Sequence, residues 1–153
     1  ELYHSPLDAA AEASLARSFR ELSNGSPALQ SPIDINDRSV EVIARSDDVL
    51  MCRFAELCEK PRSAHDYIEI AREYHAVLLA DVPALGASND DAARRFINLV
   101  DEFYDRSVKL IISAERPILE LYDQGRLNFE FQRTQSRLQE MQSREYLARE
   151  HRP

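Results

Sequence analysis

Two continuous apolar runs with an amphipathic segment between them dominate the middle of the chain. Residues 76–82 and 108–112 are each short and apolar enough to be strands buried on both faces of a sheet. Behind Asn89, apolar residues recur every three or four positions, which predicts a helix capped by Asn89. A full helix between two buried strands predicts parallel neighbours joined by a right-handed crossover. The apolar face of this helix comprises Ala93, Phe96, Ile97, Val100, Phe103 and Tyr104.

The N-terminal third shows one helical pattern followed by alternating segments. Ser5 precedes a proline and lies three residues before Asp8, which is typical of a helix start with a capping box, so we expect an N-terminal helix within residues 1–25. Residues 26–31 contain Ser and Pro and predict a loop, the best candidate for an internal hinge. Period-two alternation of apolar residues predicts a β-meander of three strands over 31–55.

Helical periodicity returns after Pro61. Ser63 and Asp66 have the spacing of a capping box at a helix start. This helix, the two apolar runs and the helix between them lie within residues 63–122, which we predict to be the strand–helix–strand core. In the C-terminal region, 129–150, the alternation at Phe129 and Phe131 predicts a short extended piece before a long polar helix.

Together these segments predict an α/β fold: a partial P-loop-like sheet with parallel strands and a crossover helix, plus a small antiparallel β-meander and flanking helices. A chain of 153 residues suits one domain, 1–153, and 44% hydrophobic and 30% charged residues are ordinary for a globular domain. No apolar run approaches the ~20 residues of a membrane span, so we expect no membrane span, and we expect no signal peptide among the first residues. Because the first residues lack an initiator Met, we expect a piece of a longer protein.

Charge is distributed unevenly along the chain. The net charge of −8 argues against a protein that coats nucleic acid. Residues 126–153 nevertheless carry six Arg against four Glu, whereas the remainder carries an excess of ten acids. A basic C-terminal helix on an acidic body indicates either a contact face for phosphate or an acidic partner, or simply a solvated helix with mixed charges.

Cysteine and histidine usage points to no metal chemistry. Cys52 and Cys58 have five residues between them, a spacing that matches no common zinc or redox motif, so we expect two reduced thiols. The four histidines are scattered. We therefore predict no metal site.

Polar residues that end the two apolar runs are the first candidate site. Asp81 and Ser113 lie where parallel strands of an α/β sheet present ligand-binding residues, and where P-loop ATPases carry an acid and a polar sensor. Yet the chain has only three glycines and no G-x-x-x-x-G-K-[ST] loop to hold phosphate, and Val82 follows Asp81 where a catalytic Glu would stand. A strand-terminal Asp that caps or pairs locally is the alternative.

The C-terminal arginines are the second candidate site. Arg133 and Arg137 lie four residues apart on one helix face and could grip phosphate together, although surface pairing with Glu130 or Glu140 is the alternative. The apolar-Asp-Glu sequence at 99–102 resembles a Walker B strand, but the helical period places it in mid-helix with its acids on the solvated side.

Five sequence blocks, in order, resemble the C-terminal half of the ZapE-like (AFG-type) AAA+ ATPases of bacterial cell division. They are FAELCEKPRSAHDYIEIA, LLADVP, RRFINLVDEFYDR, KLIISAE and FEFQRTQSRLQEMQSREYL. The resemblance implies ATP and Mg²⁺ as cofactors of a parent protein, but no cofactor for this segment, which lacks Walker A and is expected to be inactive alone. It also implies a cytoplasmic location with recruitment to the division septum.

The same resemblance implies partners and site residues. FtsZ, the ATPase core upstream in the same chain and further copies of the protein are the expected partners, without nucleic acid or a membrane span. It singles out Arg133 and Arg137, in an R-T-x-S-R-L motif, as the residues that face nucleotide or a neighbouring subunit, with Arg94 and Arg95 second; one of that pair could instead bond Asp90 or Asp91. No catalytic residue is expected here. The competing hypothesis is a nucleotide-free interaction module with only architectural similarity to ATPases.

Overall fold

The computed structural model describes residues 2–153 and shows a five-stranded sheet with helices on both faces. The sheet has the order β1-β7-β6-β5-β4, and a separate two-stranded sheet pairs β2 with β3. The strands are β1 (Tyr3–His4), β2 (Ile33–Ile35), β3 (Arg38–Val40), β4 (Ala44–Arg45), β5 (Val49–Arg53), β6 (Ala76–Val82) and β7 (Lys109–Ala114). The helices are α1 (Ala9–Ser23), α2 (Phe54–Cys58), α3 (Ala64–Glu73), α4 (Asp90–Asp105), α5 (Asn128–Glu140) and α6 (Arg144–Leu147).

The predicted strand–helix–strand core is confirmed. Strand β6 lies between β5 and β7 and runs parallel to both, with Leu78 opposite Met51 on one side and Ile111 on the other. Helix α4 connects β6 to β7. This central position explains the continuous apolar runs, because a strand that is hydrogen-bonded on both edges and packed on both faces buries nearly every side chain.

The two faces of the sheet are covered unequally. Helix α1 alone covers one face, where Leu15 and Phe19 pack on Met51, Leu78 and Ile111. Helices α2 to α5 cover the other face and enclose the larger core, in which the aromatic rings of Phe54, Phe96 and Phe131 follow one another at centroid distances of 6.1 and 6.2 Å.

The capping box predicted for α3 is confirmed and has a tertiary role. The Ser63 N–H donates to the Asp66 carboxylate, which also accepts from Asn36 and from Arg38 at 2.5 Å. Burial raises the Asp66 pKa, but these hydrogen bonds and the Arg38 charge outweigh it and leave the pKa below its ordinary value. One carboxylate therefore caps α3 and holds the β2–β3 hairpin against it.

The N-terminal helix begins later than predicted. Asp8, not Ser5, is the N-cap, and its side chain accepts from the Ala11 N–H. The residues before it form β1, which pairs in parallel with β7 at the sheet edge and was not predicted. A two-residue strand has no periodicity to detect, and the Tyr3 hydroxyl, which donates to the Arg116 carbonyl, shows that a long-range contact holds it.

The alternating segments do not form one continuous meander. Strands β2 and β3 form the small antiparallel sheet, whereas β4 and β5 are antiparallel to each other within the large sheet. The loop before them is anchored, because Leu29 and Arg45 exchange two backbone hydrogen bonds of 2.8 Å. This anchoring does not favour the hinge proposed at 26–31.

Two predicted boundaries in the C-terminal half are wrong. Phe129 and Phe131 lie in α5, so the period of two was a coincidence within a helix whose buried face comprises Phe131, Thr134 and Leu138. The long polar helix is interrupted after α5, and Ser143 caps the short α6 by accepting from the Tyr146 N–H. Asn89 precedes α4 as expected, but its side chain bonds Gly86 and Ala84 rather than the helix.

Candidate functional site

The structure brings the two strand-end candidates together. Asp81 and Ser113 lie at the carboxyl ends of β6 and β7, and the Asp81 N–H donates to the Ser113 hydroxyl over 2.9 Å. Asp81 adopts a left-handed backbone conformation with φ of 66°, within an irregularity in the pairing of β6 with β7. Residues other than Gly, Asn and Asp rarely adopt this backbone conformation, so an aspartate suits the irregular end of the strand.

Arg53 completes this group, and it was not foreseen. It ends β5, and its guanidinium donates to the Asp81 carboxylate over 3.0 Å. Arg53, Asp81 and Ser113 thus lie at the last or next-to-last positions of three adjacent parallel strands, beneath the start of α1 and beside a cleft of about 330 Å³. These three residues come together because of the register of the sheet, which no local sequence pattern predicts.

This strand-end group does not fit Mg²⁺ and nucleotide phosphate. Asp81 supplies the carboxylate of this group and is paired with Arg53, and the residues described contain no cluster of three acidic, Cys or His side chains able to hold a metal ion. Both thiols, Cys52 and Cys58, are free and buried, and burial raises the Cys52 pKa to about 12. The arrangement is that of a locally paired strand-end acid, the alternative weighed above.

Arg133 and Arg137 share one carboxylate, and it belongs to another helix. Arg137 donates to Asp101 of α4 over 2.6 Å, and Arg133 donates to its second oxygen over 3.0 Å. Neither of the expected partners, Glu130 and Glu140, bonds these arginines in the part of the chain that the structure describes. Asp101 therefore joins α5 to α4.

The two arginines differ in burial and in what surrounds them. The Arg137 side chain is 25% exposed, and its guanidinium lies over the Tyr104 ring at 4.7 Å from the centroid. The Arg133 side chain is 60% exposed and its carboxylate contact is shared. Arg137 is thus packed into the α4–α5 contact, whereas Arg133 points outward with guanidinium N–H groups available to a partner.

The Walker B-like sequence at 99–102 lies in the middle of α4, as predicted, but its two acidic side chains are not fully solvated. Leu99 and Val100 are buried in the core, as a helix face requires. Asp101 is mostly buried, with a side chain 22% exposed beside its two arginines, and Glu102 pairs with Arg106 over 2.9 Å. Sequence reasoning missed Asp101 as a functional partner because its arginines lie more than thirty residues away.

The second arginine pair is divided between two environments. Arg94 lies 3.4 Å from Glu130 at the start of α5, and Arg95 donates to the Cys58 carbonyl over 3.1 Å. Asp90 instead accepts from the Tyr122 hydroxyl and pairs with Arg126, so neither arginine uses it. Arg95 is a structural link to α2, and Arg94 lies on the same α4–α5 surface as Arg133.

No helix among residues 2–153 is long and apolar enough to cross a membrane.

Comparison with known proteins identifies the family. The model of the AFG1-like ATPase family matches residues 1–150. Cell division protein ZapE of Escherichia coli (strain K12) is 46% identical over 150 residues, which are 98% of this chain and 40% of that protein. Lactation elevated protein 1 homolog B of Danio rerio is 32% identical over 179 residues, 95% of this chain and 36% of that protein.

No solved structure matches this chain. The chain spans about two fifths of the length of the curated relatives described above. Because the family match covers nearly all of the residues, this chain belongs to the AFG1-like ATPase family, as a ZapE-like member of it.

Proposed function

We propose that residues 1–153 are the single C-terminal domain of a longer AAA+ P-loop ATPase that binds and hydrolyses ATP with Mg²⁺. The parent acts in bacterial cell division through FtsZ, is cytoplasmic and is recruited to the septum. This segment couples the nucleotide state of an upstream ATPase core to partner binding. The family match and the similarity to cell division protein ZapE support the proposal, as does the resemblance of the five sequence blocks.

Arg133 carries the proposal. It is held in position by Asp101 but is exposed, and a guanidinium has a fixed charge and a planar fork suited to phosphate oxygens. Because Asp101 keeps Arg137 when Arg133 leaves, Arg133 can turn to an incoming anion without leaving an unpaired carboxylate behind. We assign Arg133 to contact with nucleotide or a neighbouring subunit, and Arg137 to positioning α5.

Arg94, on the same surface and paired only at 3.4 Å, is the second contact residue in this proposal. Arg95, Asp81 and Ser113 receive no nucleotide role, because each is engaged within the domain. Arg95 donates to the Cys58 carbonyl, the Asp81 carboxylate accepts from Arg53, and the Ser113 hydroxyl accepts from the Asp81 N–H.

The test is steady-state ATP turnover of the longer protein with Arg133→Ala. We expect kcat to fall roughly tenfold or more, because an arginine aimed at transferring phosphate contributes strongly to turnover. Arg133→Lys keeps the charge without the fork and should recover only part of the rate. Arg72→Ala, which removes an exposed arginine of α3 with its own weak carboxylate contact, is the matched control and should leave turnover unchanged.

Normal turnover in Arg133→Ala, with Arg72→Ala also normal, would remove the assigned role. The competing proposal is an interaction module that needs no nucleotide, favoured by the unusually exposed apolar side chains of Leu119 and Phe129. It requires that residues 1–153 alone bind FtsZ with the same affinity in the presence and absence of ATP.

A further inference from the structure

Phe129 is the most exposed large apolar side chain described in the structure. Its side chain is 83% exposed, although it lies in the first turn of α5, whose next aromatic residue, Phe131, is fully buried. An exposed phenylalanine contributes little burial free energy to the isolated domain, so the packing of the domain itself does not account for Phe129. An aromatic side chain in this situation is typical of an interface anchor.

Arg133 lies four residues later, on the same face of α5 as Phe129. Between and beside them, Gln132 and Ser136 are also exposed, and these four residues with Glu130 line a shallow groove of about 420 Å³. We call Phe129, Gln132, Arg133 and Ser136 the outer face of α5. It combines one apolar anchor, one arginine and two uncharged polar side chains, with Glu130 paired with Arg94.

We propose that the outer face of α5 docks onto the ATPase core of the same longer polypeptide, with Phe129 as the apolar anchor and Arg133 beside it. This inference rests on the proposed function and names the surface through which it acts. Two observations favour this occupant over others. The chain spans only 40% and 36% of its relatives, so in proteins of this family a body larger than the domain itself is attached to these residues.

The second observation is charge. The segment 126–153, which contains the outer face of α5, carries an excess of two arginines over acids, whereas the remainder of the chain carries an excess of ten acids. A nucleotide-bound ATPase core presents phosphate, and Arg133, the charged side chain of the outer face of α5, is suited to donate to phosphate oxygens. Docking through Phe129 would bring the neighbouring Arg133 to that core with most of its donors unused.

The test uses a cysteine reporter on the outer face of α5. Gln132→Cys leaves the anchor in place, and the native Cys52 and Cys58 are fully buried, so a maleimide reports on position 132 when the labelled peptide is followed by mass spectrometry. We expect labelling at least tenfold slower in the longer protein than in residues 1–153. Adding Phe129→Ser should return the rate in the longer protein to within twofold of that in residues 1–153.

Arg72→Cys on α3 is the matched reporter and should label equally fast in both proteins. Equal labelling at position 132 in both proteins would overturn the inference, as would protection that survives Phe129→Ser. Protection lost on dilution would overturn it in favour of a second copy, and protection appearing only when FtsZ is added would overturn it in favour of that partner. ATP turnover measured on the same longer protein separates the two proposals: absent turnover with full protection refutes the enzyme and leaves the docking face standing.

Discussion

Asp101 offers the sharpest test of how α5 is held, because one substitution removes two charge-assisted hydrogen bonds between helices. In Asp101→Ala, Arg137 loses its 2.6 Å contact and Arg133 its 3.0 Å contact. The substitution introduces no strain, since alanine is the best helix former and α4 is helical through this position.

The expected cost follows from the burial of each pair. Arg137 and Asp101 are both about three quarters buried, so this hydrogen-bonded pair is worth about 1.5–3 kcal/mol. Arg133 is mostly exposed, and its contact adds less than about 1 kcal/mol. We therefore expect Asp101→Ala to lower the free energy of unfolding by about 2–3 kcal/mol and Tm by roughly 5–10 °C.

Urea unfolding followed by circular dichroism measures this loss, with Glu102→Ala as the matched control. Glu102 is the next residue of α4 and holds only an i,i+4 pair with Arg106, so its removal should cost about 0.5 kcal/mol or less. A double-mutant cycle of Asp101→Ala with Arg137→Ala should give a coupling energy above about 1 kcal/mol. If Asp101→Ala matches Glu102→Ala, or the coupling is near zero, Asp101 does not join the two helices as argued here.

Two further predictions concern Asp66 and Asp81. The Asp66 pKa is lowered in the folded protein, so the stabilisation from its carboxylate is complete above the unfolded pKa of about 3.9 and is lost as pH falls through the folded value. The difference in free energy of unfolding between wild type and Asp66→Asn, measured in urea, should therefore shrink from pH 6 to pH 3. A difference that stays constant with pH would contradict this prediction. Asp81 has a φ of 66°, and both Asp81→Gly and Asp81→Ala remove its ion pair with Arg53. Only alanine adds backbone strain at this φ, so Asp81→Ala should be less stable than Asp81→Gly by about 1 kcal/mol in thermal unfolding. Equal stabilities would contradict the left-handed conformation of Asp81.

Much of the fold could be predicted because its signals are local. The buried strands β6 and β7, the helix between them and the capping box of α3 each depend on residues within one element, so periodicity and spacing identify them. The same local reasoning failed at Phe129 and Phe131, where two aromatics two positions apart fit a strand as well as a helix. It also failed at β1, which is too short to have a period.

The candidate site divides in the same way. The positions of Arg133 and Arg137 on one helix face follow from four-residue spacing, and so does their suitability for phosphate. Their shared partner did not follow, because Asp101 is 32 and 36 residues distant and a helical pattern does not say which neighbouring helix a polar face meets. The pairing of Asp81 with Arg53, and of its N–H with Ser113, likewise depends on the register of three strands.

The sequence by itself determined the family, the α/β class, the two central strands and the placement of Arg133 and Arg137 on one helix face, since residue type and spacing carry that information directly. Only the tertiary structure decided that Asp101 secures Arg137 while leaving Arg133 outward, that three strand ends meet beneath α1, and that Phe129 is left uncovered. These features arise from which faces pack together over long separations in the chain. Packing of that kind is a property of the whole core, so no single segment of the sequence predicts it.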